Sequence, residues 1–334
     1  MHIGNNIIKN EKKTLETYYD FEKAFDNVSH KYLKKLMEKY KFPKQGINII
    51  NKILHNAEIE LTIGMEKIGN IKIKNGLLQE DSLSPFLFVL TIDQLIKMID
   101  KKGIGFEISP EYTTNVCYFI DDLRVVTNST NDMKTAHQMI KEYAQSIGMK
   151  INYEKCAIIQ RGLQRPSTMN DIPIVKSFTY LGIPINANGA NEKEQNDIIF
   201  KKIREKLRTI ENDILGGIKE IQRINSEVIS MLRYSFGLVN YSKTTLEKID
   251  KTIMKSIKIM KLKRNGTTKW RYYLPYKYLG MNLQSAKVEY LISIIKMKHS
   301  LENSNGIRQA YKLYDEGRKP VKKRLKEQIY QYCE

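Results

Sequence analysis

Apolar residues fall at helical spacing early in the chain. In residues 30–40 they are Tyr32, Leu33, Leu36, Met37 and Tyr40, and after Pro43 they are Ile47, Ile50 and Leu54, so two short amphipathic helices are predicted. The pattern then changes period. "IELTIGMEKIGNIKIKNG", residues 59–76, alternates apolar and polar positions around Gly64 and Gly69 and reads as a hairpin. A long helix is predicted from Pro85 to Gly103. "VCYFIDDLRVVT", 116–127, reads as two strands with a pair of aspartates between them. Residues 131–148 form a helix opened by Asn131 or Asp132 and closed by Gly148, and strands resume in "KINYEKCAII" and "SFTYLGIPI". From Asn191 onward the period is helical, with breaks at Gly216–Gly217, near Gly237 and in "RNGTTKWRYYLPYKYLG".

This order predicts an α+β unit over residues 1–190, a basic helical unit over 191–262 and a second helical piece over 263–334. At 334 residues the chain exceeds one ordinary hydrophobic core. Charge follows the same boundary: of the net +19, about +2 lies in residues 1–200 and about +17 in 201–334. A polyanion-holding C-terminal part is the expectation, and nucleic acid is the commonest polyanion. Cys117, Cys156 and Cys333 form no CxxC or Cys/His cluster, which argues against a disulfide framework or a zinc module. Apolar runs such as "PFLFVLTI" are far too short to span a bilayer. The expected protein is intracellular, cytoplasmic or nuclear, with no membrane partner.

Asp121 and Asp122 are the chemical oddity. Adjacent carboxylates repel, and burying them unpaired is costly. A solvated hairpin tip would explain them, and so would a bound cation. A two-metal site draws carboxylates from separate strands onto cations about 3.5–4 Å apart, so a partner should end another apolar strand. Asp20, after Tyr18 and Tyr19, meets that description.

"DFEKAFD" (20–26), "GLLQEDSLSPFLF" (76–88), "YFIDD" (118–122), "GMKINYEKC" (148–156) and "FTYLGI" (178–183) occur in an order that resembles the successive palm motifs of reverse transcriptases, most closely the non-LTR (LINE-type) branch. The resemblance implies an RNA-directed DNA polymerase. Its fold would be an α+β right-hand palm, an antiparallel sheet packed on helices, with partial fingers near 43–75, a helical thumb and a C-terminal helical extension. It implies two Mg2+ ions, with Mn2+ as a substitute, and an RNA template, a DNA primer and deoxynucleoside triphosphates as partners. Asp20 and Asp121 would be metal ligands, with Asp122 the second carboxylate of the turn and Phe21 lending a carbonyl. Phe25 would be the ring against the nucleotide sugar, though core packing also explains it. Gln79, Ser84 and Pro85 would line nucleotide and template, though capping of the long helix accounts equally for Ser84 and Pro85. Lys155 would protonate the leaving pyrophosphate, unless it is a solvated strand lysine. Tyr180 and Leu181 would grip the primer end or belong to the sheet core. His30 needs no chemistry.

Three departures from the family pattern raise a second reading. Only 19 residues precede Asp20, so most of the fingers is expected to be missing and the domain to be N-terminally truncated. Glu80 stands where the family has Gly, and Ile120 where small Ala is usual and where a β-branched side chain would press on the nucleotide or primer sugar. A truncated, inactive remnant that binds nucleic acid, or a maturase-like RNA-binding protein, are the alternatives to an active enzyme. Lys201, Lys202 and Arg204 place positive charge along one thumb helix, where they would follow the primer–template. "RKPVKKRLK", 318–326, could contact phosphates or act in nuclear targeting. Trp270, Tyr272, Tyr273 and Tyr276 are expected as a buried aromatic cluster, with stacking on unpaired bases as the other reading.

Overall fold

The computed structural model describes residues 14–79, 81–109, 112–162, 168–213, 216–262 and 268–304. Glu80, the basic run 318–326 and Cys333 lie outside the described residues. The chain divides between Tyr180 and Leu181 into two compact units.

The first unit is mixed α and β. Strand β1 (Thr14–Tyr19) and the short β2 (Phe21–Glu22) lead to helices α1 (His30–Lys39) and α2 (Lys44–His55) and to the hairpin β3 (Glu58–Ile63) and β4 (Glu66–Lys72). There follow α3 (Ser84–Lys101), β5 (Phe106–Ser109), β6 (Tyr112–Thr114), β7 (Val116–Phe119), β8 (Asp122–Thr127), α4 (Thr130–Ser146), β9 (Lys150–Ile151) and β10 (Ala157–Arg161). Short strands β11 (Thr168–Met169), β12 (Ile172–Pro173) and β13 (Ser177–Tyr180) complete it.

The central sheet is antiparallel, in the order β10-β1-β8-β7. β1 sits inside it and all six of its residues are buried. Register sorts its side chains between two faces: Leu15 and Tyr19 join Leu123, Val125 and Ile158 in the core, where α3 and α4 contribute Leu95, Ile99 and Ile140. On the opposite face lie Glu16 and Tyr18 with Arg124 and Arg161. Charge is tolerated there because it is paired. Arg124 Nη2 and Arg161 Nη2 each approach Glu16 at 2.7 Å, and the Tyr18 hydroxyl donates to Glu16 Oε2 at 2.6 Å.

Local signals act as their chemistry dictates. Ser29 caps α1 by accepting from the Tyr32 N–H at 3.3 Å. At α4 the cap is Ser129, which accepts from the Asp132 N–H at 3.0 Å, rather than Asn131 or Asp132; the cap must precede the first helical turn. Ser84 does not cap α3: it lies inside the first turn and is buried, while Pro85 occupies the start, where no backbone N–H is needed. The β3–β4 hairpin pairs Ile59 with Ile71 on one face and Glu58 with Lys72 on the other, and every residue of β3 is exposed.

The second unit is almost wholly helical after the small hairpin β14 (Ile183–Asn186) and β15 (Gly189–Ala190). Its helices are α5 (Glu192–Asn212), α6 (Gly217–Arg223), α7 (Ser230–Phe236), α8 (Lys243–Ile259), α9 (Trp270–Tyr273) and α10 (Ala286–Asn303). A π-helical stretch, Ile224–Ile229, joins α6 to α7, and a 3-10 turn, Tyr276–Tyr278, follows α9. Ile203, Leu207 and Ile210 of α5 pack with Val228, Leu232, Ile249 and Ile253 in a second core. Phe236, Tyr241 and Tyr290 meet edge to face there, with centroids 5.3–5.9 Å apart. Lys201, Lys202 and Arg204 stand exposed on α5. The expected aromatic cluster forms only in part, since Tyr272 is buried but Trp270 and Tyr276 are exposed, as is the nearby Tyr278. A four-residue helix and a single 3-10 turn are too short to turn every ring inward. No helix among the described residues is long and apolar enough to cross a membrane.

Candidate active site

Strand register places the acidic residues. Tyr19 of β1 pairs with Leu123 of β8, so Asp20, one step beyond, and Asp122, one step before, end up facing each other on adjacent strands. β7 and β8 close with Phe119 opposite Asp122, which leaves Ile120 and Asp121 as the two-residue loop. Asp122 therefore belongs to the strand, and Asp121 stands exposed at the tip. Ile120 carries φ +57° and packs against the palm core.

Asp20 and Asp122 line a cleft of about 300 Å³ with Tyr18, Lys155, Phe178 and Tyr180. Lys155 Nζ lies 3.9 Å from Asp20 Oδ2 and is largely exposed. Asn152 donates to the same oxygen from Nδ2 at 3.1 Å, and its backbone N–H donates to the Asp20 carbonyl at 2.9 Å. This residue opens the "NYEK" motif that contains Lys155, and the fold alone shows that both motif residues approach Asp20. Cys156 approaches from behind, accepting the Asp20 N–H at 3.5 Å, and burial pushes its thiol up to about 11. Burial, then the charges of Asp121 and Asp20, push the Asp122 carboxyl upward from its ordinary value.

Other expected residues are placed as follows. Tyr180 is buried with its ring 5.1 Å from Tyr18, which in turn lies 5.0 Å from Phe178, so these rings floor the cleft. Leu181 falls in the second unit, where its carbonyl accepts from the Tyr234 hydroxyl at 2.7 Å. Phe25 is half-buried and stacks on Phe88 at 4.8 Å, outside the cleft-lining set. The Phe21 side chain is buried, and Gln79 is exposed. Gly76 is held at φ +92° so close to Asp26 that a Cβ would meet its carbonyl oxygen at 2.6 Å, and His30 Nε2 lies 2.7 Å from the Gly76 oxygen. His30 thus ties the "DFEKAFD" segment to the "GLLQ" segment, a structural duty.

The family model for reverse transcriptase (RNA-dependent DNA polymerase) matches residues 4–185, more than half of the chain. The chain belongs to the reverse transcriptase family. Its curated relatives are non-LTR elements. It is 27% identical over 184 residues to the Pol polyprotein of the type-1 retrotransposable element R2 of Popillia japonica, covering 51% of this chain and 30% of that protein. To the Pol polyprotein of the type-2 element R2DM of Drosophila melanogaster it is 23% identical over 269 residues, covering 74% of this chain and 25% of that protein. The chain thus spans a third or less of the length of these relatives. Among solved structures, telomerase from Candida albicans shares the fold at a TM-score of 0.50 and 10% identity, over 95% of this chain and 48% of that one. The polymerase fold and the non-LTR resemblance are both borne out.

Reverse transcriptases generally use divalent metal ions, and the donor set suits them. Carboxylate oxygens are the hard ligands such cations take. Two lie in one cleft and a third is adjacent in the turn; a cation there would offset both the burial and the neighbouring charges that push Asp122 upward. Among the described residues no three His, Cys, Asp or Glu side chains are gathered around one point.

Proposed function

We propose that the chain is the polymerase domain of a non-LTR retroelement and extends a DNA primer on an RNA template from deoxynucleoside triphosphates. The observation that carries the reading is the register that sets Asp20 across from Asp122, with Lys155 in the same cleft. Asp20, Asp122 and Asp121 would hold two Mg2+ or Mn2+ ions, with the Phe21 carbonyl as a further donor. Bound there, the cations supply a lower pKa for the attacking hydroxyl and neutralise the charge on the phosphates. The primer 3'-hydroxyl gives its proton to solvent, and its oxygen forms a bond to the α-phosphorus as the bond to pyrophosphate breaks. Lys155 Nζ gives a proton to that leaving oxygen, and Asn152 keeps the Asp20 carboxylate aimed into the cleft while this happens. Phe25, Gln79, Ser84 and Pro85 are assigned to the nucleotide and template side, and Tyr180 and Leu181 to the primer end. Exposed Lys201, Lys202 and Arg204 are assigned to backbone phosphates.

Primer extension on an RNA template with Mg2+ tests this. The wild-type chain yields labelled product and Asp20→Asn yields none; product that survives Asp20→Asn sinks the reading. Lys155→Ala slows the single-turnover step about 10²- to 10⁴-fold if it is the general acid.

A further inference from the structure

The most exposed aromatic surface of the second unit lies beyond the stretch matched by the family model. Trp270 is 75% exposed and Tyr278 60%, with Tyr276 and Leu279 also open to solvent. Single exposed apolar side chains are ordinary, but several on one short loop mark a candidate interaction surface. The loop that carries them is not loose. Met281 N–H donates to the Arg271 carbonyl at 2.9 Å, Asn282 N–H to Leu274 at 2.9 Å and Leu283 N–H to Tyr272 at 2.6 Å, so the chain folds back on α9. Gly280 makes that fold possible, since a Cβ there would sit 1.9 Å from the Leu274 oxygen. Asn225, in the π-helical stretch, bolts the loop down, donating to the Asn282 carbonyl at 2.8 Å and accepting from the Gln284 N–H at 2.9 Å. The buried Tyr272 ring anchors the base of the loop.

Charge says what such a surface would accept. Between Asp250 and Glu289 the chain carries ten Lys and Arg and no acidic residue. Lys269 and Arg271 flank Trp270, and Lys277 Nζ lies 4.8 Å from the Tyr278 ring centroid. Exposed rings interleaved with cations on a rigid frame suit unpaired bases, whose faces stack on the rings while their phosphates meet the Lys and Arg side chains.

We propose that the loop 268–281 is a binding site for single-stranded RNA, separate from the polymerase cleft. The choice of RNA over DNA rests on the function proposed above, because an RNA-templated enzyme has an unpaired RNA strand at hand. Stacking and charge alone argue for the unpaired strand.

The chain supplies its own reporter, because Trp270 is its single tryptophan. The full-length protein is titrated with an unstructured uridine oligomer while Trp270 fluorescence is followed. Saturable quenching is expected, weakened about 5- to 100-fold by Tyr278→Ala, with a log–log salt slope of roughly −2 for three basic contacts. RNA should bind at least as tightly as the matching DNA oligomer. Absence of quenching, equal quenching by duplex RNA, tighter binding of the DNA oligomer, or a spectral shift produced only by phosphatidylserine vesicles would each overturn the assignment. Since Tyr278 is exposed, Tyr278→Ala leaves the fold intact, and an affinity unchanged in that variant also counts against it. The two proposals fail separately: quenching without primer extension removes the polymerase reading alone, and extension without quenching removes this site alone.

Discussion

Glu16 Oε2 accepts from Arg124 Nη2 at 2.7 Å across the β1–β8 pair, and both side chains are almost fully buried. Burial alone would push the Glu16 carboxyl up, but the Arg124 and Arg161 guanidiniums and the Tyr18 hydroxyl override it and hold it below its ordinary value. Removing one partner strands a charge. Glu16→Ala or Arg124→Ala should therefore lower the free energy of unfolding by about 3–5 kcal/mol, measured by urea titration. Replacing Glu16, Arg124 and Arg161 together by leucine or methionine should cost far less, since no charge is left behind.

Asn152 predicts a different signature. It touches Asp20 but not the reacting atoms, so Asn152→Ala should leave the thermal midpoint nearly unchanged. The Mg2+ concentration needed for half-maximal primer extension should rise about 10- to 100-fold. Excess Mg2+ should restore much of the rate, which a variant damaged in its fold would not allow.

Ile120 reverses an ordinary ranking. At most sites alanine is more stable than glycine by roughly 0.5–1 kcal/mol. At φ +57° the order should invert, with Ile120→Gly more stable than Ile120→Ala by about 1 kcal/mol, because both lose the same packing and only glycine escapes the left-handed penalty. Thermal unfolding of the two variants checks it.

His137 supplies a pH dependence. It is buried between Tyr19, whose hydroxyl lies 3.3 Å from Nδ1, and Tyr153, whose hydroxyl lies 3.5 Å from Nε2. Burial and then the nearby Lys141 charge push its pKa down, with Asp171 acting weakly the other way. The unfolded chain thus binds the proton more readily than the folded one. Stability contributed by neutral His137 is fully present above about 6.5 and is lost as the pH falls through that value toward the lower folded one. A urea series between pH 7.5 and 5.5 should show that loss, and His137→Gln should flatten it.

Much of this was legible from the residues. Apolar period, with Pro43 and Pro85 at the helix starts, places α1, α2 and α3 where the structure has them, and the ordered motifs identify the family. What the sequence hid depends on residues far apart in the chain. Glu16 sits between Leu15 and Thr17 with no sign that Arg124 and Arg161 will meet it, since those contacts span more than a hundred positions. The same holds for Asn152 and Asp20. The backbone at Ile120 was hidden as well, because sequence shows side-chain size but not the sign of φ. The aromatics near Trp270 were misread because burial depends on how long a helix becomes.

β1 now reads as a strand with no spare positions. One face builds the core, the other closes the ion network, its last hydrogen bonds aim Asp20, and all six residues are buried. Genetic drift in a copy no longer under selection would meet the same six codons whether it erodes folding or catalysis. Eighteen nucleotides thus encode a stretch in which every side chain meets the core or the ion network, and whose end sets the position of Asp20.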